Sequence, residues 1–204
     1  MAELLDRPGP SRPQAPDARP GPVPSTAPVP IVVPPADSEV RLLQAVQDRI
    51  GNAGVVRVAR GMSLFGEHAA GWLAIGTAGA LLDRTRRREW LTATAGVALA
   101  HGASIGIKRV VRRPRPADER VLVQVGTPSK LSFPSAHATS TTAAAVLLGP
   151  LLGRPRLFAA VVPPMAVSRL VLGVHYPTDV LAGSALGAAV GLLTRRFSGR
   201  KERR

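Results

Sequence analysis

The chain has 204 residues, 27 Lys plus Arg against 13 Asp plus Glu, no cysteine, and seven aromatic residues among 45% hydrophobic ones. A disulfide framework and a cysteine-ligated metal are excluded, and one domain with a tail is the expected scale. A formal charge of +14 points to a phosphate-bearing partner, whether nucleic acid or an anionic membrane surface, and its distribution must decide between them.

Residues 1–38 hold 11 of the 20 prolines and are slightly acidic, with no helical periodicity and no sustained apolar run. Such a stretch buries too little surface to offset chain ordering and is expected to be a disordered tail; it also lacks the basic start and apolar centre of a signal peptide. From residue 39 to 60, Leu42, Leu43, Val46, Ile50, Val55 and Val56 interleave with Arg41, Gln44, Gln47, Asp48 and Arg57. That spacing predicts an amphipathic helical segment, broken at Gly51–Gly54, which lies on a membrane surface or caps a bundle.

Five apolar segments follow, 69–82, 90–107, 131–153, 157–168 and 180–194, all free of Lys, Arg, Asp and Glu. Extended into their flanks they approach the roughly 20 residues that span a bilayer. Gly, Ala, Ser and Thr dominate them, as suits helices packed closely in lipid, and Gly183, Gly187 and Gly191 mark a packing face on the last. The expected fold is therefore all-α: a polytopic membrane bundle of about five transmembrane helices behind an amphipathic N-terminal segment. The domain should run over 61–196, with a basic tail at 197–204.

Short basic clusters orient the bundle. Arg84, Arg86, Arg87 and Arg88, then Arg154 and Arg156, then Arg195 and Arg196 with the C-terminal cations all fall on one side, which the positive-inside rule makes cytoplasmic. The opposite side receives the 108–134 loop, yet that loop is basic too, and binding an anion supplies the reason. Three groups meet there. Lys108, Arg115 and Pro116 form K-x6-R-P where the second span ends. Pro134, Ser135, Ala136 and His137 open the third span, where a hydroxyl and first-turn amides can bind phosphate and a His can donate a proton. Ser168 and Arg169 close the fourth span, and His175 and Asp179 flank the turn into the fifth, a base beside the carboxylate that orients it. Taken singly, each group also reads as interfacial anchor, N-cap or structural hydrogen bond. Their convergence on one face gives them weight, and no third or fourth ligand stands at zinc-like spacing, so no metal is expected.

In order, identity and spacing these motifs resemble the three-part signature of the type 2 phosphatidic acid phosphatase (PAP2) superfamily, directly over 108–179 and in helical arrangement over about 62–196. One departure is Ala136, where that family most often has Gly; Ala is strained if the site needs an unusual backbone angle there and suffices if it needs only an amide. The resemblance implies that His175 attacks phosphorus to form a phosphohistidine, with Asp179 holding its ring. It implies that His137 protonates the leaving oxygen and then activates water. Lys108, Arg115, Ser135, Ala136 and Arg169 would surround the phosphate oxygens, with no metal and no cofactor. The expected substrate is a phosphomonoester or pyrophosphate of a lipid or polyprenyl carrier, met at the extracytoplasmic face of a bacterial plasma membrane.

Size, composition and Pro-rich tail resemble actinobacterial members, decaprenylphosphoryl-5-phosphoribose phosphatases of cell-wall arabinan synthesis among them. Undecaprenyl-pyrophosphate, phosphatidylglycerophosphate and phosphatidate phosphatases stay open. So do a soluble acid phosphatase or vanadium haloperoxidase relative, and a non-enzymatic membrane protein that binds anionic lipid. Nucleic acid is not an expected partner, since seven aromatics in Gly/Ala-rich spans offer no stacking platform.

Overall fold

The computed structural model describes residues 36–201, so the expected tail at 1–35 and residues 202–204 lie outside the described residues. Among the described residues there are seven α-helices: α1 (Asp37–Ile50), α2 (Ala53–Gly66), α3 (Ala70–Leu82), α4 (Arg87–Val111), α5 (Ala136–Leu151), α6 (Pro155–Val171) and α7 (Pro177–Lys201). Among the described residues there is no strand, only an isolated antiparallel bridge between Pro114 and Leu131.

Each apolar segment forms one helix, α3 to α7. Two of them, α4 and α7, are long and apolar enough to cross a membrane. The 13 residues of α3 rise only about 20 Å, against about 30 Å of hydrocarbon. Its missing length lies in α2, which precedes it through one 3-10 turn, so the boundary expected at residue 60 falls inside a helix. The amphipathic segment is thus two helices. Asn52 caps α2, its side-chain oxygen accepting from the amides of Gly54 and Val55 at 3.1 Å each, and satisfies donors that the helix start would leave open. The turn between α2 and α3 holds two consecutive non-glycine residues in left-handed backbone, His68 (φ 51°) and Ala69 (φ 59°).

The bundle is built on close approach. On α7, a β-carbon at Gly183 would press the backbone of Ser135, one at Gly187 the backbone of Thr139, and one at Gly191 the side chain of Val146. Small residues at this spacing let the α5 and α7 backbones meet, and van der Waals contact is the main attraction available in lipid. Trp72, Trp90, Val97, Leu147 and Leu148 fill the space between α3, α4 and α5, and the Trp72 indole donates to Thr141 Oγ1 at 3.1 Å. Outside, Leu64, Leu82, Leu99, Leu181 and Leu192 are exposed, the inverse of a water-soluble surface and the mark of a membrane protein.

The ends of the bundle differ. At one end Arg86 donates to the Leu151 carbonyl, and Arg86, Leu151 and Arg195 line a common crevice, so the basic clusters share a side. At the other, α1 lies over α6 and α7: Gln47 bonds the carbonyls of Leu122 (2.7 Å) and Val171 (3.0 Å) and accepts from the Leu122 amide. Val56 and Ala59 of α2 pack on Val171, Leu172 and Val174.

Candidate functional site

At the α1-covered end a cavity of about 420 Å³ opens between α2, α4, α5 and the 126–131 loop. Lys108, Arg115, Ala136, His137, Arg169 and His175 all line it, so six of the eight residues singled out from sequence share one wall. The other two, Ser135 and Asp179, are fully buried behind it.

Lys108 ends α4 and is buried; its Nζ donates to the carbonyls of Ser132 (2.8 Å) and Pro134 (2.7 Å), with Leu131 at 3.3 Å. The ammonium therefore ties the end of α4 to the entry of α5. Arg115 follows the helix stop. Its Nε donates to Ser129, and its Nη1 donates to the Val174 carbonyl at 2.6 Å while lying 3.2 Å from His175 Nε2. A guanidinium can only donate, so His175 Nε2 is the unprotonated nitrogen of the ring, its lone pair turned to Arg115 at the cavity wall. Burial pulls the Arg115 pKa down to about 10, which leaves the group charged near neutrality.

His175 follows Gly173, whose φ of 67° turns the chain at the end of α6; a β-carbon there would press the Leu122 carbonyl. Burial first, then the Arg115, Lys108 and Arg169 charges, holds the His175 imidazole well below its usual pKa, and so neutral. Its Nδ1 faces Asp179 Oδ2 at 3.5 Å without closing a hydrogen bond. That carboxylate oxygen instead accepts from the Tyr176 amide at 2.8 Å.

Ser135 caps α5, its Oγ accepting from the Ala138 amide at 3.4 Å and its amide donating to the Asp179 carbonyl at 2.9 Å. The Ala136 and His137 amides belong to the first helical turn, where no carbonyl four residues back receives them, and both residues line the cavity. Ala136 has ordinary helical backbone and is not among the positive-φ residues, so the alanine is unstrained. His137 Nε2 lies 2.9 Å from the Ser63 carbonyl, which fixes the proton on Nε2 and leaves Nδ1 for chemistry. Arg169 is 1% exposed; Nε donates to Ser168 Oγ (3.1 Å) and Nη1 to Ser63 Oγ (2.9 Å). Among the described residues no cluster of three His, Asp or Glu side chains is placed to hold a metal ion.

Three residues that the sequence reading passed over complete the frame. Arg113 is 2% exposed and bridges two carboxylates, Asp179 Oδ1 at 2.8 Å and Glu39 of α1, while donating to Thr178 at 2.7 Å. Its guanidinium also stacks 4.3 Å over the Tyr176 ring. Glu39 accepts from the Thr178 hydroxyl and amide; burial alone raises its pKa, but these bonds and Arg113 outweigh it and hold the carboxyl below its ordinary value. Ser63 of α2 holds His137 and Arg169 together. Arg113 was visible only as one more cation in the K-x6-R-P run, and neither Glu39 nor Ser63 carries a motif.

A family model described as the PAP2 superfamily matches residues 89–203. The chain is 52% identical over 166 residues to a protein of Mycobacterium tuberculosis named decaprenylphosphoryl-5-phosphoribose phosphatase, covering 81% of this chain and 93% of that one. A protein of the same name from Mycolicibacterium smegmatis is 60% identical over 146 residues, 71% of this chain and 81% of that one. Among solved structures, the fold resembles a transmembrane PAP2 type phosphatidylglycerolphosphate phosphatase from Bacillus subtilis, with TM-score 0.69, 21% identity, and 80% and 86% of the two chains covered. It also resembles Aquifex aeolicus LpxE, with TM-score 0.64, 20% identity, and 77% and 94% covered. The chain belongs to the PAP2 superfamily.

Proposed function

We propose that this chain is a membrane lipid phosphatase that removes the terminal phosphate of a polyprenyl-linked phosphosugar, of the kind named for its mycobacterial relatives, decaprenylphosphoryl-5-phosphoribose. The observation that carries the reaction is His175 Nε2, an acceptor 3.2 Å from the Arg115 guanidinium, on the wall of a cavity that Lys108, Arg115 and Arg169 make cationic. The 52% and 60% identities to those relatives, nearly end to end in the first, support the substrate.

His175 Nε2 attacks phosphorus in line, forming the N–P bond as the bond to the leaving oxygen breaks. His137 enters the step doubly protonated beside the phosphate dianion, with Ser63 holding Nε2–H, and its Nδ1 proton passes to the leaving alkoxide to give an alcohol. The alcohol departs, His137 takes a proton from water, and the hydroxide displaces His175 to release phosphate. Three buried cations and the first-turn amides of α5 stabilise the equatorial oxygens throughout, which is the main source of acceleration in phosphoryl transfer. As His175 acquires positive charge on attack, Asp179 at 3.5 Å closes on Nδ1–H and stabilises it. The basic clusters at the far end support an extracytoplasmic cavity in a bacterial plasma membrane, by the positive-inside rule.

The test is phosphate release by detergent-purified protein from a panel of phospholipid, polyprenyl and phosphoribosyl lipids, with His175→Ala as control. Turnover with an acid-labile phosphoenzyme in the wild type and neither in the variant is expected. Release by His175→Ala at the wild-type rate would refute the mechanism.

A further inference from the structure

The cavity is larger than a phosphate needs, and its remaining wall is chemically distinct. Beside His137 it is formed by the end of α2, the α2–α3 turn and the middle of α4, which contribute Ser63, Glu67, His68 and His101. Gly66 brings this wall against the catalytic ring, since a β-carbon there would lie 2.6 Å from His137 Cδ2. His101 stands two helical turns before Lys108, its ring 6.4 Å from that of His68, and its buried Nδ1 has no hydrogen-bond partner. The left-handed backbone of His68 and Ala69 interrupts the helix at this point. Strained backbone and ionisable groups within a membrane bundle both collect where a ligand is handled.

In-line displacement says which part of the substrate meets this wall. The leaving oxygen departs opposite the attacking nitrogen, and the residue that protonates it must reach it, so the space beside His137 receives the leaving alcohol. A plain prenol or diacylglycerol would set hydrocarbon against a carboxylate and two imidazoles, where it can satisfy none of their polar atoms, although Glu67 and His68 already lie 3.9 Å from each other. A sugar would not, because each hydroxyl both donates and accepts, and so can meet the Glu67 carboxylate and the His68 and His101 imidazoles that line this wall. A carboxylate in the wall also disfavours a second phosphate at this spot.

We propose that Glu67, His68 and His101 form a subsite for the hydroxyl groups of the leaving alcohol, selecting lipids whose scissile phosphate is carried on a sugar over phosphomonoesters of plain long-chain alcohols. This rests on the phosphatase reading and adds a specificity determinant to it.

The experiment measures kcat/KM for three probes, a short-chain polyprenylphosphoryl-5-phosphoribose, its 2-deoxyribose analogue and dioleoyl phosphatidate, with the wild type, His101→Leu, His101→Gln, His68→Ala and Glu67→Gln in detergent. The wild type should prefer the ribosyl lipid over phosphatidate by at least tenfold and over the deoxy analogue by severalfold. His101→Leu and Glu67→Gln should each compress the ribosyl-to-phosphatidate ratio about tenfold or more, with His101→Gln recovering part of it. His68 is largely exposed, so His68→Ala keeps the test available if a buried substitution fails to fold. A wild-type ratio near one, or variants that lower all three probes in equal proportion, would overturn the subsite while leaving the phosphatase intact. Failure of the wild type to release phosphate from any probe would overturn the phosphatase reading and the subsite with it.

Discussion

Removing Arg113 should damage both stability and turnover, although the residue does not line the cavity. The perturbation is Arg113→Ala. In the native chain the guanidinium is 3% and the Asp179 carboxylate 0% exposed, so solvent does not screen the pair, and the value of at most about 1 kcal/mol typical of surface bridges does not apply. Deleting one member strands a buried carboxylate, which costs about 3–5 kcal/mol. Loss of the Glu39 and Thr178 bonds also loosens α1 from the turn that carries His175. For a chain of this size, about 3–5 kcal/mol lowers the melting temperature by roughly 6–20 °C. Arg113→Lys keeps the charge but cannot span two carboxylates, and should fall between the wild type and Arg113→Ala. The assay pairs thermal unfolding in detergent with kcat and KM on the ribosyl lipid. Because Arg113 acts through Asp179 and the His175 turn, kcat should fall much more than KM changes. An Arg113→Ala protein that melts within 2 °C of the wild type by roughly the same criterion, with unaltered kcat, would refute the reasoning.

Three further outcomes are expected. The depressed His175 pKa keeps the free enzyme nucleophilic as pH falls through 6.5, so the acid limb of kcat/KM should lie below that pH; a limb centred at 6.5 would show an imidazole free of this environment. The same shift acts on stability: protonation favours the unfolded chain, so this contribution is complete above about pH 6.5 and is lost on acidification, visible as a falling melting temperature. Gly187→Leu should destabilise the bundle by about 1–3 kcal/mol or more, because the new side chain meets the α5 backbone at Thr139; an unchanged melting temperature would place that face elsewhere. With the phosphate charge carried by three fixed cations, as proposed, dialysis against a divalent-metal chelator should leave turnover unchanged, and loss restored by added metal would contradict that proposal.

The parts of the site that sequence discloses are those whose roles fix local spacing. Lys108 and Arg115 flank a helix stop, Ser135 is a helix cap, and His175 and Asp179 lie one helical turn apart, so each pairing is written within ten residues. Arg113, Glu39 and Ser63 act across separations of 65 to 139 residues, which no local pattern encodes. Nor does composition separate Arg113 from its neighbours: Arg109 and Arg112 are exposed and Arg113 is buried, a distinction made by the left-handed backbone of Arg112 at the end of α4. The source of the first span's extra length is hidden for a similar reason. An apolar run of 14 residues looks like a short span, and only the packing of α2 against α6 shows that the preceding amphipathic helix supplies the rest.

That arrangement also explains why a basic loop stands opposite the basic clusters. Lys108 is spent on three carbonyls, Arg115 on two carbonyls and the His175 ring, and Arg113 on Asp179 and Glu39. Arg120 is occupied by Asp118 at 2.8 Å and by Asp37 of α1 at 2.9 Å. Four of the loop's cations are therefore held by acceptors within the fold, two of them by carboxylates that α1 brings to this face. The remaining charge of Lys108, Arg115 and Arg169, each facing the cavity with no carboxylate bonded to it, is what a phosphate would neutralise. A topology rule that counts Lys and Arg along the sequence registers all of them alike; the bilayer and the substrate meet only the portion that the fold leaves unneutralised.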